Sequence, residues 1–251
     1  MIDFWQTLVL ALIQGLTEFL PVSSSAHLIL VGLLGDWQDQ GLLIDITAHL
    51  GSLLAVMIYF RKEILALLSG RQNQLLIQLI IATLPIVVAG LLFAGWVSGL
   101  GRSLLVIAFA SVVFGVLLWW SQRLAKNAEL DKKSAFLIGL AQCLALIPGA
   151  SRSGVTLTAG MALGLNKTTA ARFSFLLAIP TILMAAAYAG FKWSQQPTLV
   201  DYSVVTWVAG LSFISAWVVI AVFMKFIERI DFIWFMLYRL LLALLLFMVL
   251  I

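Results

Sequence analysis

The sequence predicts an all-α polytopic membrane protein, an inverted-topology repeat of six transmembrane helices plus two re-entrant helical hairpins. Three observations lead there. The 251 residues are 63% hydrophobic and only 10% charged, with a mean hydropathy of +1.11, far above that of a soluble domain. Six apolar stretches reach the roughly 20 residues that a helix needs to cross a bilayer. Two more apolar stretches are each interrupted by a proline and a knot of polar side chains.

The first interrupted stretch covers residues 4–35, with Pro21-Val22-Ser23-Ser24-Ser25-Ala26-His27 at its centre. Each half is too short to span. Non-helical backbone at membrane depth is tolerated only where protein buries it or a watery cavity meets it, so the stretch reads as a hairpin that enters and leaves on one side. Spans over 41–60, 75–98 and 103–120 follow. The second interrupted stretch, 135–165, carries Pro148-Gly149-Ala150-Ser151-Arg152-Ser153-Gly154 and reads the same way. Spans over 172–191, 203–224 and 232–251 complete the chain. Residues 1–251 thus form one integral membrane domain, with repeat 1 over about 1–125 and repeat 2 over about 134–251. A shift of 127 residues lays Pro21 on Pro148 and Ser24 on Ser151. A unit with three crossings inverts when repeated, and such folds build sites near the midplane from broken helices.

Charge orients the chain. Arg61, Lys62, Arg71, Arg123, Lys126, Lys132, Lys133, Lys167, Arg172, Lys225 and Arg229 fall on one side, Arg102 and Lys192 on the other, and Arg152 and Arg239 inside apolar segments. The positive-inside rule makes the rich side cytoplasmic, turns both termini outward and puts the two hairpins on opposite faces. The net charge of +4 follows from those loops, and no basic stripe of the kind that binds nucleic acid is present. Cys143 is the single cysteine, which excludes an intrachain disulfide. The first residues, Met1-Ile2-Asp3-Phe4-Trp5, lack the basic region of a cleaved signal, so the first apolar run is expected to be retained.

The knots carry the chemistry. A half-helix starting just after a proline presents free N–H groups and the positive end of its dipole, so Ser23, Ser24 and Ser151 stand where an anion would bind. Gly149 and Gly154 allow close backbone approach, and Arg152 offers a planar fork suited to phosphate oxygens. A carboxylate beside such a site, Glu18, calls for a positive group between it and the anion. Gln14 and Glu18 share a helix face and offer oxygen ligands suited to Mg²⁺ or Ca²⁺. His27, one turn beyond Ser24, is near enough to relay a proton. Together these residues predict phosphoryl transfer, in which catalysis is mostly positioning and charge stabilisation. Plainer readings exist: Ser23, Ser25 and Ser153 as N-caps, Asp45 as a cap, His49 as packing or a supporting residue, and Tyr238-Arg239 as an interfacial anchor or a brace.

The segment Gln14-Gly15-Leu16-Thr17-Glu18-Phe19-Leu20-Pro21-Val22-Ser23-Ser24-Ser25-Ala26-His27 resembles the N-terminal signature of bacterial undecaprenyl-diphosphate phosphatases of the bacitracin-resistance type. Pro148-Gly149-Ala150-Ser151-Arg152-Ser153-Gly154-Val155-Thr156 resembles their second signature, and Phe173 to Pro180 and Tyr238-Arg239 match in kind. The resemblance implies an inner-membrane hydrolase with its site open to the periplasm. It removes the terminal phosphate of C55 undecaprenyl diphosphate to recycle the carrier for cell-wall synthesis. It implies Glu18, Ser24, His27 and Arg152 as catalytic residues and Gln14 with Glu18 as ligands of Mg²⁺ or Ca²⁺. Ser23, Ser25, Gly149, Ser151, Ser153, Gly154 and Thr156 form the expected substrate-binding set. Substrate is expected to enter from the membrane, and a homodimer is an expected assembly. Attack by Ser24 and attack by a water it positions both remain open. A transporter of the same anion is the rival class, because opposed hairpins also build carriers.

Overall fold

Two interruptions of helical backbone organise the structure, one on each side of the chain's midpoint. The computed structural model describes residues 4–37, 41–100, 103–195 and 201–250, with side chains described outside 94–100. The first hairpin is α1 (Phe4–Glu18) and α2 (Ser24–Leu34). It leads into α3 (Leu42–Tyr59), a short α4 (Arg61–Leu68), α5 (Asn73–Leu100) and α6 (Leu104–Ser121). The second hairpin is α7 (Lys132–Gln142), one 3-10 turn (Cys143–Leu146) and α8 (Arg152–Ala162), followed by α9 (Lys167–Gln195), α10 (Tyr202–Phe226) and α11 (Ile233–Met248). Among the described residues there is no strand.

The fold is all-helical and polytopic. Five helices, α3, α5, α6, α9 and α10, are long and apolar enough to cross a bilayer. The sixth expected span, 232–251, is shorter than the sequence suggested: α11 has 16 residues, about 24 Å of rise. Its start is held late because Asp231 accepts the Ile233 N–H at 2.9 Å, and Gln122 accepts the Phe232 N–H at 3.0 Å. Of the charged residues read from sequence, Arg102 lies outside the described residues.

The loops rich in lysine and arginine gather on one face. The Lys126 and Ala128 N–H groups donate to the Gly164 carbonyl, Lys167 donates to the Ile230 carbonyl at 2.7 Å, and Arg172 pairs with Glu63. On the interior, α1 packs on α10 as α7 packs on α5, while α3 meets both α9 and α10, and α6 meets α11. An aromatic cluster fills the middle, with Phe19 edge-on to Phe175 at 5.3 Å.

Helix pairs without hydrophobic drive between them rely on small residues at the contact. Gly139 of α7 shows why: a Cβ there would lie 2.4 Å from the Ala82 carbonyl oxygen of α5. At Gly210 the same atom would meet nothing within 4 Å. Gly139→Val is therefore expected to lower stability by about 1–3 kcal/mol, and Gly210→Ala to leave it near the parent's, read as thermal unfolding midpoints in detergent.

Candidate active site

Each knot ends in a serine held in an unusual backbone conformation. Ser23 has φ 72° and Ser151 φ 69°, and each immediately precedes a half-helix. Left-handed backbone at a non-glycine residue costs about 1–3 kcal/mol and persists only where surroundings enforce it, most often at functional sites. The two turns repeat one design: Ser23 Oγ lies 3.2 Å from Ser25 Oγ, and Ser151 Oγ 3.2 Å from Ser153 Oγ. These equivalences are 128 residues apart, which corrects the 127-residue alignment at the knots. The second knot has one more residue between proline and cap, so the counterpart of Ser24 is Arg152, the first residue of the other half-helix. Gly149 supplies the extra turn with φ 92°, against backbone of Ile107 that would lie 2.5 Å from a Cβ.

The two interruptions bring charged groups of the two halves of the chain together. Arg152 Nη2 donates to Glu18 Oε1 at 2.8 Å, and its Nη1 donates to the Ser174 carbonyl at 3.3 Å. Glu18 Oε2 accepts from Gln14 Nε2 at 2.9 Å and from the Ser24 hydroxyl at 3.2 Å. The pair is largely shielded, with side-chain exposures of 11% for Arg152 and 9% for Glu18. His49 completes the cluster. Its Nδ1 faces the Asp45 carbonyl at 2.8 Å, and a carbonyl only accepts, so Nδ1 carries hydrogen and Nε2 is left toward Glu18 Oε2, 3.9 Å away.

The cluster floors a cavity of about 540 Å³, within the range of small-molecule sites. Its polar wall includes Glu18, Ser24, His49, Ser151 and Arg152, with Ser23, Ser25 and Gly149 beside them. Above them the walls are apolar: Ile86, Val87 and Leu91 of α5 face Ile182, Met184 and Ala185 of α9. Pro85 and Pro180 lie within these two helices just before the wall residues, each removing one helical hydrogen bond there.

Several residues singled out in the sequence lie behind this wall rather than on it. Gln14 is buried beneath Glu18. Ser153 donates to the Leu20 carbonyl at 2.9 Å and so ties one knot to the other. Thr156 shares a 2.6 Å hydrogen bond with Ser174, and Gly154 packs near the Arg239 guanidinium. His27 points away from the cavity: Nδ1 donates to the Ser23 carbonyl at 2.7 Å, and Nε2 faces the Tyr238 hydroxyl at 2.5 Å. Sequence reasoning missed Gln142 and Thr181, which line the cavity and bond to each other at 3.3 Å. The signal was there, since Gln142 stands 128 residues after Gln14.

For a divalent cation the donor set is sparse but of the right kind. No group of three His, Cys, Asp or Glu converges among the described residues, so there is no all-protein cage. Gln14 Oε1 is buried and has no donor, while the Nε2 of the same amide donates to Glu18 Oε2. One carboxylate and one orphaned amide oxygen fit an ion that takes most of its ligands from phosphate and water, as Mg²⁺ does.

A family profile described as bacitracin resistance protein BacA matches residues 7–245. An undecaprenyl-diphosphatase of Hahella chejuensis is 46% identical over 252 residues, covering 95% of each chain. Undecaprenyl-diphosphatase 1 of Pseudoalteromonas translucida is 47% identical with the same coverage, and undecaprenyl-diphosphatase 2 of Stutzerimonas stutzeri is 46% identical over 96% of each chain.

The buried pair makes a stability prediction separate from activity. Arg152→Ala leaves an uncompensated carboxylate and is expected to cost about 3–5 kcal/mol. Adding Glu18→Gln to that variant should recover most of the loss. Thermal unfolding of the two singles and the double gives the coupling, and additive losses would mean that the pair is not coupled.

Proposed function

The chain belongs to the bacitracin resistance protein BacA family, and from that membership we propose that it is a membrane phosphatase acting on undecaprenyl diphosphate. The observation that carries the reading is the Glu18–Arg152–Ser24 cluster at the foot of an apolar-walled cavity. It matches an amphiphile with a diphosphate head and a hydrocarbon tail. A plain anion carrier needs no hydroxyl donating to a buried carboxylate.

In the mechanism we infer, Arg152 and the unpaired N–H groups at the start of α8 bind the outer phosphate. The Ser24 hydroxyl, directed at Glu18, attacks the outer phosphorus or aligns a water that does so. The O–P bond to the nucleophile forms, the bridging P–O bond breaks, and the lipid monophosphate leaves. The nucleophile's proton passes to Glu18, the acceptor already in contact, so we assign this role to Glu18 rather than His27. Where serine attacks, water releases phosphate from Ser24 in a second step. Glu18 with Gln14 would hold Mg²⁺ or Ca²⁺, which supplies charge neutralisation of the diphosphate.

We read the two halves as an inverted repeat, the basic face as cytoplasmic and the protein as resident in the inner membrane, with the site reached from the periplasmic side. The apolar residues of α5 and α9 support lateral entry of substrate, the tail remaining in lipid.

Phosphate release from a short polyprenyl diphosphate in detergent, with and without EDTA, tests this reading. Release is expected from the parent protein and is expected to fall with EDTA. Arg152→Ala should lose about 100-fold or more, and Glu18→Ala and Ser24→Ala should be similarly impaired. Lipid binding without release under any metal would overturn the phosphatase in favour of a carrier. Normal turnover by Ser24→Ala would eliminate serine as nucleophile.

A further inference from the structure

Behind the cavity floor lies a second polar group that the reaction as derived does not use. Arg239 of α11 is fully buried, and no carboxylate pairs with it among the described residues. Its hydrogen bonds go to backbone carbonyls. Nη1 donates to Pro21 and Ala150 at 3.2 Å each, and Nη2 to Gly149 at 2.8 Å and Ala150 at 3.1 Å. Nε donates to Ser111 of α6 at 3.0 Å. One guanidinium thus grips both knots. The preceding residue, Tyr238, reaches the first knot through His27, whose other nitrogen holds the Ser23 carbonyl.

That grip sets what the knots show to the cavity. In a trans peptide the carbonyl of one residue and the N–H of the next point opposite ways. With the Ala150 carbonyl held by Arg239, the Ser151 N–H is turned away from it; with the Ser23 carbonyl held by His27, through ring Nδ1 at 2.7 Å and more loosely through its backbone N–H at 3.4 Å, the Ser24 N–H is turned away likewise. Neither N–H has a hydrogen-bond acceptor among the described residues, while Ser24 and Ser151 both line the cavity. His27 has no nitrogen to spare. A carbonyl only accepts, so Nδ1 carries the hydrogen, and Nε2 accepts from the Tyr238 hydroxyl.

We propose that Arg239, Tyr238 and His27 are positioning residues, which pull the carbonyls of both knots backward and so aim the Ser24 and Ser151 N–H groups at the substrate's phosphates. This rests on the phosphatase reading above. His27 acts as a strut for Ser23 and moves no proton.

Tyr238→Phe keeps the ring and removes only the hydrogen given to His27. It is expected to lower kcat roughly 3- to 10-fold and to weaken inhibition by inorganic phosphate, with an unfolding midpoint like the parent's. Arg239→Lys keeps the charge but cannot span both knots, and is expected to lose about 100-fold in kcat with a larger effect on kcat than on KM. His27→Gln retains an N–H donor for the Ser23 carbonyl. It should keep the shape of the parent's pH profile while Tyr238→Phe no longer lowers its rate further. Loss of one limb of that profile in His27→Gln would make His27 a proton relay and overturn the proposal. So would variants that unfold earlier yet keep kcat and phosphate inhibition, which would make the group a brace only. Should the parent protein release no phosphate, the phosphatase reading fails by itself. Calorimetric binding of inorganic phosphate to the same folded variants then decides the positioning proposal: unchanged affinity in Tyr238→Phe and Arg239→Lys would overturn it.

Discussion

Breaking a helix at membrane depth frees carbonyls and N–H groups that hydrocarbon cannot satisfy, and this protein breaks two. The freed groups divide by direction. Carbonyls of Pro21, Gly149 and Ala150 turn to the Arg239 guanidinium, while Ser153 of one knot satisfies the Leu20 carbonyl of the other. Each knot is thereby supported from the other knot or from α11. The cavity, the strained serines and the buried ion pair all stand on that exchange of hydrogen bonds between halves. Leu20 also accepts from Val22 within its own hairpin, whereas the Pro21, Gly149 and Ala150 carbonyls take their donors from α11.

The cluster at the floor is likewise divided between the halves. Glu18 and Ser24 come from the first, Arg152 from the second. With Ser24 and Arg152 as structural counterparts, one position carries a hydroxyl in the first half and a guanidinium in the second. The family match fits that division, since the known relatives carry the name of a diphosphatase. What the cluster joins across the halves is a carboxylate and a guanidinium, with a hydroxyl beside them.

Much of this was legible in the sequence because the bilayer is a strict solvent. Span lengths, the two proline breaks and the segregation of lysine and arginine are one-dimensional signals, and five of the six expected spans are helices long and apolar enough to cross a bilayer. So are polar residues stranded in hydrocarbon, which is why Glu18, Ser24 and Arg152 could be named. What the sequence did not reveal is direction. His27 stands one turn from Ser24, but whether its ring faces the cavity or α11 depends on Tyr238, more than 200 residues later. His49 was ambiguous for the same reason, and it is the histidine beside Glu18. The repeat register slipped because proline is the more visible landmark, whereas the strained serine fixes the geometry. Gln142 was overlooked because a single amide in an apolar run carries no pattern of its own.

The size of the cavity bears on what the protein can measure. About 540 Å³ accommodates a diphosphate and the first few carbons of a chain, and a fifty-five-carbon tail extends far beyond it. Most of that tail keeps the same surroundings bound or free, so it contributes little to the difference between the two states. Recognition is then confined to the head and the first isoprene units, and the membrane does the rest by concentrating substrate into two dimensions. A cavity of this size reads the head of its ligand and leaves most of the tail to the lipid around it.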